Sequence, residues 1–434
     1  MPDSRRARRR FVQLLSSAPF WSLAARAAPS GRVRVPITAT GAVADGVTVN
    51  TRAIQAAVDR VAEQGGGTVV VPAGTFVSGA LFLKPGVDLH LEQGAVLRCS
   101  TDMRHFPVRR TRIEGHFEER FNPGLINAAG CDGLRITGSG TLDGAGRPIW
   151  DQFWALRNAA KDKYNFRNLD VPRARLAVIE RSRGVTVEGV TFKDSQFWNL
   201  HLYACRDVTV RGARFEVPDD YVQAPSTDGI DVDSCQDVLI EGCHFSVTDD
   251  CIAAKGSKGP RAPDDRASPP VERVRVRDCT FRRGHAVFTL GSEATVVRDV
   301  LVERCRVQDV AIVAHLKLRP DTPQRYEDIV FRDLVLDSSK GEIVALRPWT
   351  QYADLQGAAP PHSSVRNVTL AGLRGRFGAF GALQPNPGQT DIAGIALRDI
   401  DVQLTDERLQ IAASVQAPAV ERVLVNGKRW QAPA

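Results

Sequence analysis

One eight-residue pattern recurs along the 434-residue chain: apolar, any, apolar, two polar or small, apolar or Cys, any, apolar. It reads Val185-Thr186-Val187-Glu188-Gly189-Val190-Thr191-Phe192, and returns from Val208 to Phe215, Val238 to Phe245 and Val274 to Phe281. Further units begin at Val300, Ile329, Val368 and Ile395, so successive starts lie 23, 30, 36, 26, 29, 39 and 27 residues apart. Side chains alternate within each unit, as in a strand with one buried face, and a Gly or Asp then turns the chain into a second short strand. No helical periodicity separates the units, which excludes βαβ crossovers. The pattern predicts the stacked coils of an all-β fold, a right-handed single-stranded parallel β-helix. A β-sandwich would need hairpins, and Asn-Gly or Asp-Gly turns between paired strands are largely missing.

A solenoid grows without splitting, so residues 29–434 are read as one domain. Its open end needs a cover. Thr51–Glu63 carries Ile54, Ala57, Val58 and Val61 on one helical face and is followed by Gly65-Gly66-Gly67, which predicts a short N-terminal capping helix. Residues 103–122 and 256–270 are read as loop insertions.

The formal charge of +7 sits mostly in residues 1–28, which hold six Arg and one Asp and leave the rest at +2. That remainder argues against a nucleic-acid partner. Arg8-Arg9-Arg10-Phe11-Val12, the apolar Leu14–Ala25 and Ala25-Arg26-Ala27 resemble a twin-arginine export signal. The expectation is a periplasmic or extracellular monomer with no membrane span. Several of the eight Cys recur at the same place in the repeat, which suits packing, and none has metal-ligand spacing. No metal or cofactor is expected, and disulfide pairing is left open.

Asp228 lies in Ser226-Thr227-Asp228-Gly229-Ile230-Asp231, and Asp249-Asp250 follow 21 residues later. Coils about 4.8 Å apart would stack these carboxylates, with His285 and then Lys317 continuing the column on the next two coils. One carboxyl, raised by like-charged neighbours, can protonate a glycosidic oxygen while the others deprotonate water. An inverting pair would be about 6.5–9.5 Å apart. Lys317 and Arg319 would hold a substrate carboxylate. Each residue alone has a structural reading, as turn former, packed His or solvated charge; the column is what favours chemistry. Asp233 and Lys255 are read as structural or supporting.

Ser226-Thr227-Asp228, Asp249-Asp250, Gly284-His285-Ala286 and His315-Leu316-Lys317, in this order, resemble the motifs of glycoside hydrolase family 28, the polygalacturonases. Gly65–Phe76, and Gly138–Gly144 with Trp150, extend the likeness over roughly residues 38–345. The resemblance implies a metal-free inverting hydrolysis of α-galacturonosyl linkages in an acidic pectic polysaccharide or oligosaccharide. Asp249 would be the proton donor, Asp228 and Asp250 would activate water, His285 would assist and Lys317 would bind uronate. Ser226 replaces a substrate-contacting Asn, Ala286 a Gly, and His315 an Arg for which Arg319 could substitute. Trp349 or Tyr352 could stack on sugar. Action at chain ends or on rhamnogalacturonan stays open, as do a β-helix lyase and a non-catalytic carbohydrate-binding solenoid.

Overall fold

In the computed structural model, residues 32–432 are described; the expected export segment lies outside them. Thirty-three strands join one hydrogen-bonded array. Among the described residues the pairings are parallel apart from two hairpins, Arg109–Ile113 with His116–Phe121 and Ala419–Val425 with Lys428–Arg429. The array is a right-handed parallel β-helix, the hand that connections between parallel strands adopt.

Register explains why the repeat folds this way. Val187, Val210, Ile240, Val276, Val302, Phe331 and Leu370 stand opposite one another on successive coils. Each buries its side chain on its own row. Phe192, Phe215, Phe245 and Phe281 form a parallel ring stack with centroids 4.9, 5.0 and 5.0 Å apart, close to the roughly 4.8 Å strand spacing. All eight cysteines are buried and free. Cys243, Cys279 and Cys305 occupy the row that Val190 and Ala213 fill on earlier coils, as packing residues would.

On most coils the residue before the repeat start bulges out of the ladder in the left-handed region: Asp207, Asp237, Asp299, Asp328 and Asn367 have φ between 54° and 60°, and Asp399, before Ile400, has φ 53°. Asp and Asn tolerate that conformation better than most side chains. Where Arg273 and Arg422 take the same place, each pairs with the Asp one coil earlier, Asp237 and Asp399.

Helix α1, Thr51–Glu63, buries Ile54, Ala57, Val58 and Val61 over the first coils, the cap that the periodicity predicts. The sequence reading missed a second helix. Helix α2, Arg147–Ala159, buries only Ile149, Trp150 and Phe153, too sparse an apolar stripe to stand out. It belongs to an insertion between the strands Thr141–Asp143 and Ala177–Glu180. The segment read as loop 103–122 contains the first hairpin. Among the described residues, no helix is long and apolar enough to cross a membrane.

Candidate active site

The site lies on one face of the stack formed by Ile230–Asp233, Ile252–Lys255 and the later halves of Thr280–Leu290 and Arg306–Leu318. Ile230 pairs with Ile252, so Asp228 is level with Asp250. The His285 amide donates to the Asp249 carbonyl at 2.9 Å, which sets the imidazole on the next coil. The middle row of this face is Asp231, Ala253, Thr289 and His315. The far row holds Asp233 and Lys255, and Lys317 comes two residues after His315. Lys317 therefore does not continue the carboxylate column as the spacing suggested. It starts at the far row and reaches back to Asp250.

The result is a set of charges tied to particular atoms. Asp250 accepts from His285 Nδ1 at 2.9 Å through one oxygen and from Lys317 Nζ at 2.9 Å through the other. Burial alone would raise Asp250; the Lys317 charge and the His285 bond outweigh it and hold the carboxyl well below its ordinary range. Lys255 makes the corresponding reach to Asp228: its Nζ lies 3.8 Å from Asp228, 3.8 Å from Asp231 and 3.5 Å from Glu293. Burial, then neighbouring carboxylates, push Asp228 well above the usual range. Asp231 is also pushed up, first by burial, with Lys255 only partly offsetting it. Both Asp231 oxygens are buried without a hydrogen bond. Five carboxylates (Asp228, Asp231, Asp249, Asp250 and Glu293) thus share two ammonium groups and the His285 imidazole, and the protons they retain are held by Asp228 and Asp231, which burial raises. Asp249 is half-buried while Asp228 and Asp250 are buried, so Asp249 is the carboxyl most open to a ligand.

Oxygens of Asp228, Asp249 and Asp250 lie within 4.8 Å of one another. This is tighter than the separation of 6.5–9.5 Å expected for an inverting pair. It is the span that one water bridges with two hydrogen bonds of about 2.8 Å at a tetrahedral angle. Asp250, His285 and His315 also approach as a metal-ligand set would. Both oxygens of the carboxylate common to the two sets are already taken, and Lys317 supplies a cation beside it.

The other expected binding residues divide. Ser226, Lys317, Trp349 and Tyr352 line the cavity. Ser226 adopts φ 56° and takes a 3.4 Å contact from Arg173, whose buried guanidinium lies between the rings of Phe153 and Phe197. Lys317 Nζ is 4.5 Å from the Trp349 ring centre. Tyr352 donates its hydroxyl to the Phe166 carbonyl. Arg319 does not replace the missing arginine at 315. It is buried, forks onto Asp321 with two bonds of 2.8 Å, and donates to the carbonyls of Gln351 and Tyr352. Four of its five side-chain N–H groups are thus used, two on Asp321 and two on the 350–354 loop. His315 is buried below His285 and Trp349; burial and then Lys317 lower it to about 2. It is a neutral floor residue and does not bind a carboxylate.

Sequence reasoning missed the residues that enclose the site. Trp198, Glu293 and Glu114 line it together with Trp154, Arg157 and Lys163 from the α2 insertion. The hairpin carrying Glu114 is anchored by Arg112, which reaches Asp233 at 3.2 Å, Asp265 at 3.1 Å and the Gly256 carbonyl at 2.8 Å. Arg167 links the insertion to Glu118 of the hairpin. Tyr164 bonds Thr350 at 2.9 Å, and Gln351 donates to the Tyr164 carbonyl at 2.8 Å. The outcome is a walled cavity of about 710 Å³, within the 300–1,000 Å³ usual for small-molecule sites.

The family model described as glycosyl hydrolases family 28 matches residues 68–418. The chain belongs to glycosyl hydrolase family 28. Among curated relatives, a probable polygalacturonase of Vitis vinifera is 31% identical over 207 residues, 45% of this chain and 38% of that protein. The match thus spans well under half the length of that relative. Among solved structures, this family 28 chain resembles the exopolygalacturonase of Thermotoga maritima, with TM-score 0.70, 24% identity and 92% and 93% of the two chains covered. It also resembles the family 28 exopolygalacturonase of Yersinia enterocolitica, with TM-score 0.72, 22% identity and coverage of 92% and 79%. At these identities the structural likeness establishes the β-helix.

Proposed function

We propose that this family 28 chain is a glycosidase that hydrolyses α-galacturonosyl linkages of pectic chains, acting from a chain end with inversion. One observation carries the reading: the half-exposed carboxyl of Asp249 stands beside Asp250, a carboxylate kept ionised by Lys317 and His285, at the bottom of a walled cavity. Asp249 takes the proton that the buried Asp228 holds at rest and gives it to the glycosidic oxygen as the bond to the anomeric carbon breaks. A water between the now ionised Asp228 and Asp250 attacks that carbon, and its proton passes to this pair. Lys317 keeps Asp250 unprotonated in the resting state and leaves ammonium protons for a substrate carboxylate. The walls formed by the hairpin and the α2 insertion favour a chain terminus over the middle of a polymer. The names of the relatives, polygalacturonase and exopolygalacturonase, agree with this class. We further propose export through the Arg8-Arg9-Arg10 segment.

The test is time-resolved NMR of oligogalacturonate digestion. Monomer or dimer released from one end, first as the β-anomer, is expected. Retained α-anomer would overturn the inversion, random internal cuts would overturn chain-end action, and an unsaturated product would indicate a lyase.

The charges also set a pH dependence. Burial would lower His285, but the bond and charge of Asp250 raise it above its ordinary 6.5. Raised and depressed groups work in opposite directions here. The cationic His285 is present at low pH and lost as pH climbs through its raised value. The Asp250 anion is present at high pH and lost as pH falls through its depressed value, below 3.8. A plot of kcat/KM against pH should therefore hold a plateau across mildly acidic pH and fall on an alkaline limb with a midpoint above 6.5. In His285→Asn that limb should vanish; an unmoved limb would refute the assignment to His285.

A further inference from the structure

Besides His285, four basic side chains line the cavity: Lys255 and Lys317 on the sheet, and Arg157 and Lys163 on the α2 insertion. The two lysines of the sheet are already engaged. Lys255 lies among three carboxylates and 5.0 Å from the Trp198 ring centre. Lys317 is bonded to Asp250. With Asp228 and Asp231 holding protons, the anions of Asp249, Asp250 and Glu293 are matched by Lys255, Lys317 and His285, so the floor has no positive charge to spare for an incoming anion. Arg319 is spent on Asp321 and His315 is neutral, so neither supplies one.

The opposite wall does. Arg157 donates Nε to the Lys163 carbonyl at 3.1 Å, and its guanidinium lies 5.3 Å from the Trp154 ring centre. These two contacts orient the planar group and leave both terminal nitrogens uncommitted. Among the described residues, neither Arg157 nor Lys163 forms an ion pair with a carboxylate. An oriented guanidinium with a free edge, with an ammonium lining the same cavity, is a donor set that recognises a carboxylate through paired hydrogen bonds.

We propose that Arg157 and Lys163 bind the free carboxylate of a uronate unit within the cavity, replacing from the outer wall the cation that His315 lacks on the floor. This rests on the uronate substrate proposed above and adds a specificity: a unit whose carboxyl is methyl-esterified loses the contact. The recognition thus comes from an insertion and not from the coil motifs.

The experiment compares Arg157→Gln, Lys163→Gln and the double variant with the unmodified protein, using galacturonate trimer and its full methyl ester. Loss of charged hydrogen bonds should raise KM for the acid roughly 10- to 100-fold in the double variant, with the loss falling on KM and not on kcat. KM for the ester should move less than about twofold, and Arg157→Lys should recover part of the loss for the acid. An unchanged KM for the acid would overturn the proposal. So would an equal rise for both substrates, which would mark a structural role of the wall. If the unmodified protein leaves the trimer intact, the hydrolytic reading fails by itself. Calorimetric binding of the same acid and ester to the unmodified and double-variant proteins then decides the carboxylate contact: a selective loss of acid binding supports it, and equal or absent binding of the two ligands overturns it.

Discussion

Asp249→Asn is expected to lower kcat on oligogalacturonate by about 10²- to 10⁴-fold, the usual contribution of a positioned proton donor. The amide has nearly the shape of the acid and no proton of the needed acidity. Stability should change little. Asp249 is half-buried and accepts one hydrogen bond, from the Asp250 amide at 2.9 Å, which the Asn oxygen can also accept. Asp250→Asn should behave differently, because it removes the counter-charge of both Lys317 and His285 and so reduces stability as well as rate. Reducing-sugar release together with thermal unfolding separates the two variants. A loss below about tenfold in Asp249→Asn would remove it from the role of proton donor.

Arg112→Ala should have the largest effect on structure. Arg112 and Asp233 are both almost fully buried, and removing one partner of a buried ion pair costs about 3–5 kcal/mol, since the remaining charge is left uncompensated. Asp233 would keep only the Ser234 hydroxyl at 2.7 Å and a weak 3.4 Å contact from His201. His201 is held neutral, lowered to about 4 chiefly by burial, and accepts from Arg175 at 2.6 Å, so it brings no charge to replace the arginine. The hairpin Arg109–Ile113 with His116–Phe121 would lose its anchor, and local opening is the cheapest response. Faster amide exchange confined to residues 109–121 is expected, with a lowered unfolding temperature and a shift from chain-end towards internal cleavage. Unchanged exchange and product pattern would mean that the hairpin stands without this anchor and does not shape the cavity.

The residues read most securely from the sequence were those carried by the coil itself. Val and Ile at the repeat starts announced the strands; Asp228, Asp249 and Asp250 fell together because they precede strands of the same stack, and His285 lies at their level on the next coil. The α1 cap was legible from four apolar residues at helical spacing. Arg319 was misread because proximity in sequence to His315 does not tell which way a side chain points; Asp321, two residues on, captures it. Lys317 was placed in the wrong row because strand lengths differ between coils, so counting residues does not count positions along a strand. Lys255 ends a strand and Glu293 lies in the connection between Thr280–Leu290 and Val296–Glu303, with no motif to mark either, and only the folded stack brings them to Asp228.

The amino-acid sequence alone determined the coil, its cap and the carboxylates, since these depend on a period of one coil and on contacts between equivalent positions. Tertiary structure decided where the cavity ends and which cations face it. Those features come from insertions, residues 109–121 and 147–168, whose positions are set by single long-range contacts such as Arg112 with Asp233 and Gln351 with Tyr164. Such contacts have no periodicity, and the local pattern of residues carries no record of the partner across the cleft.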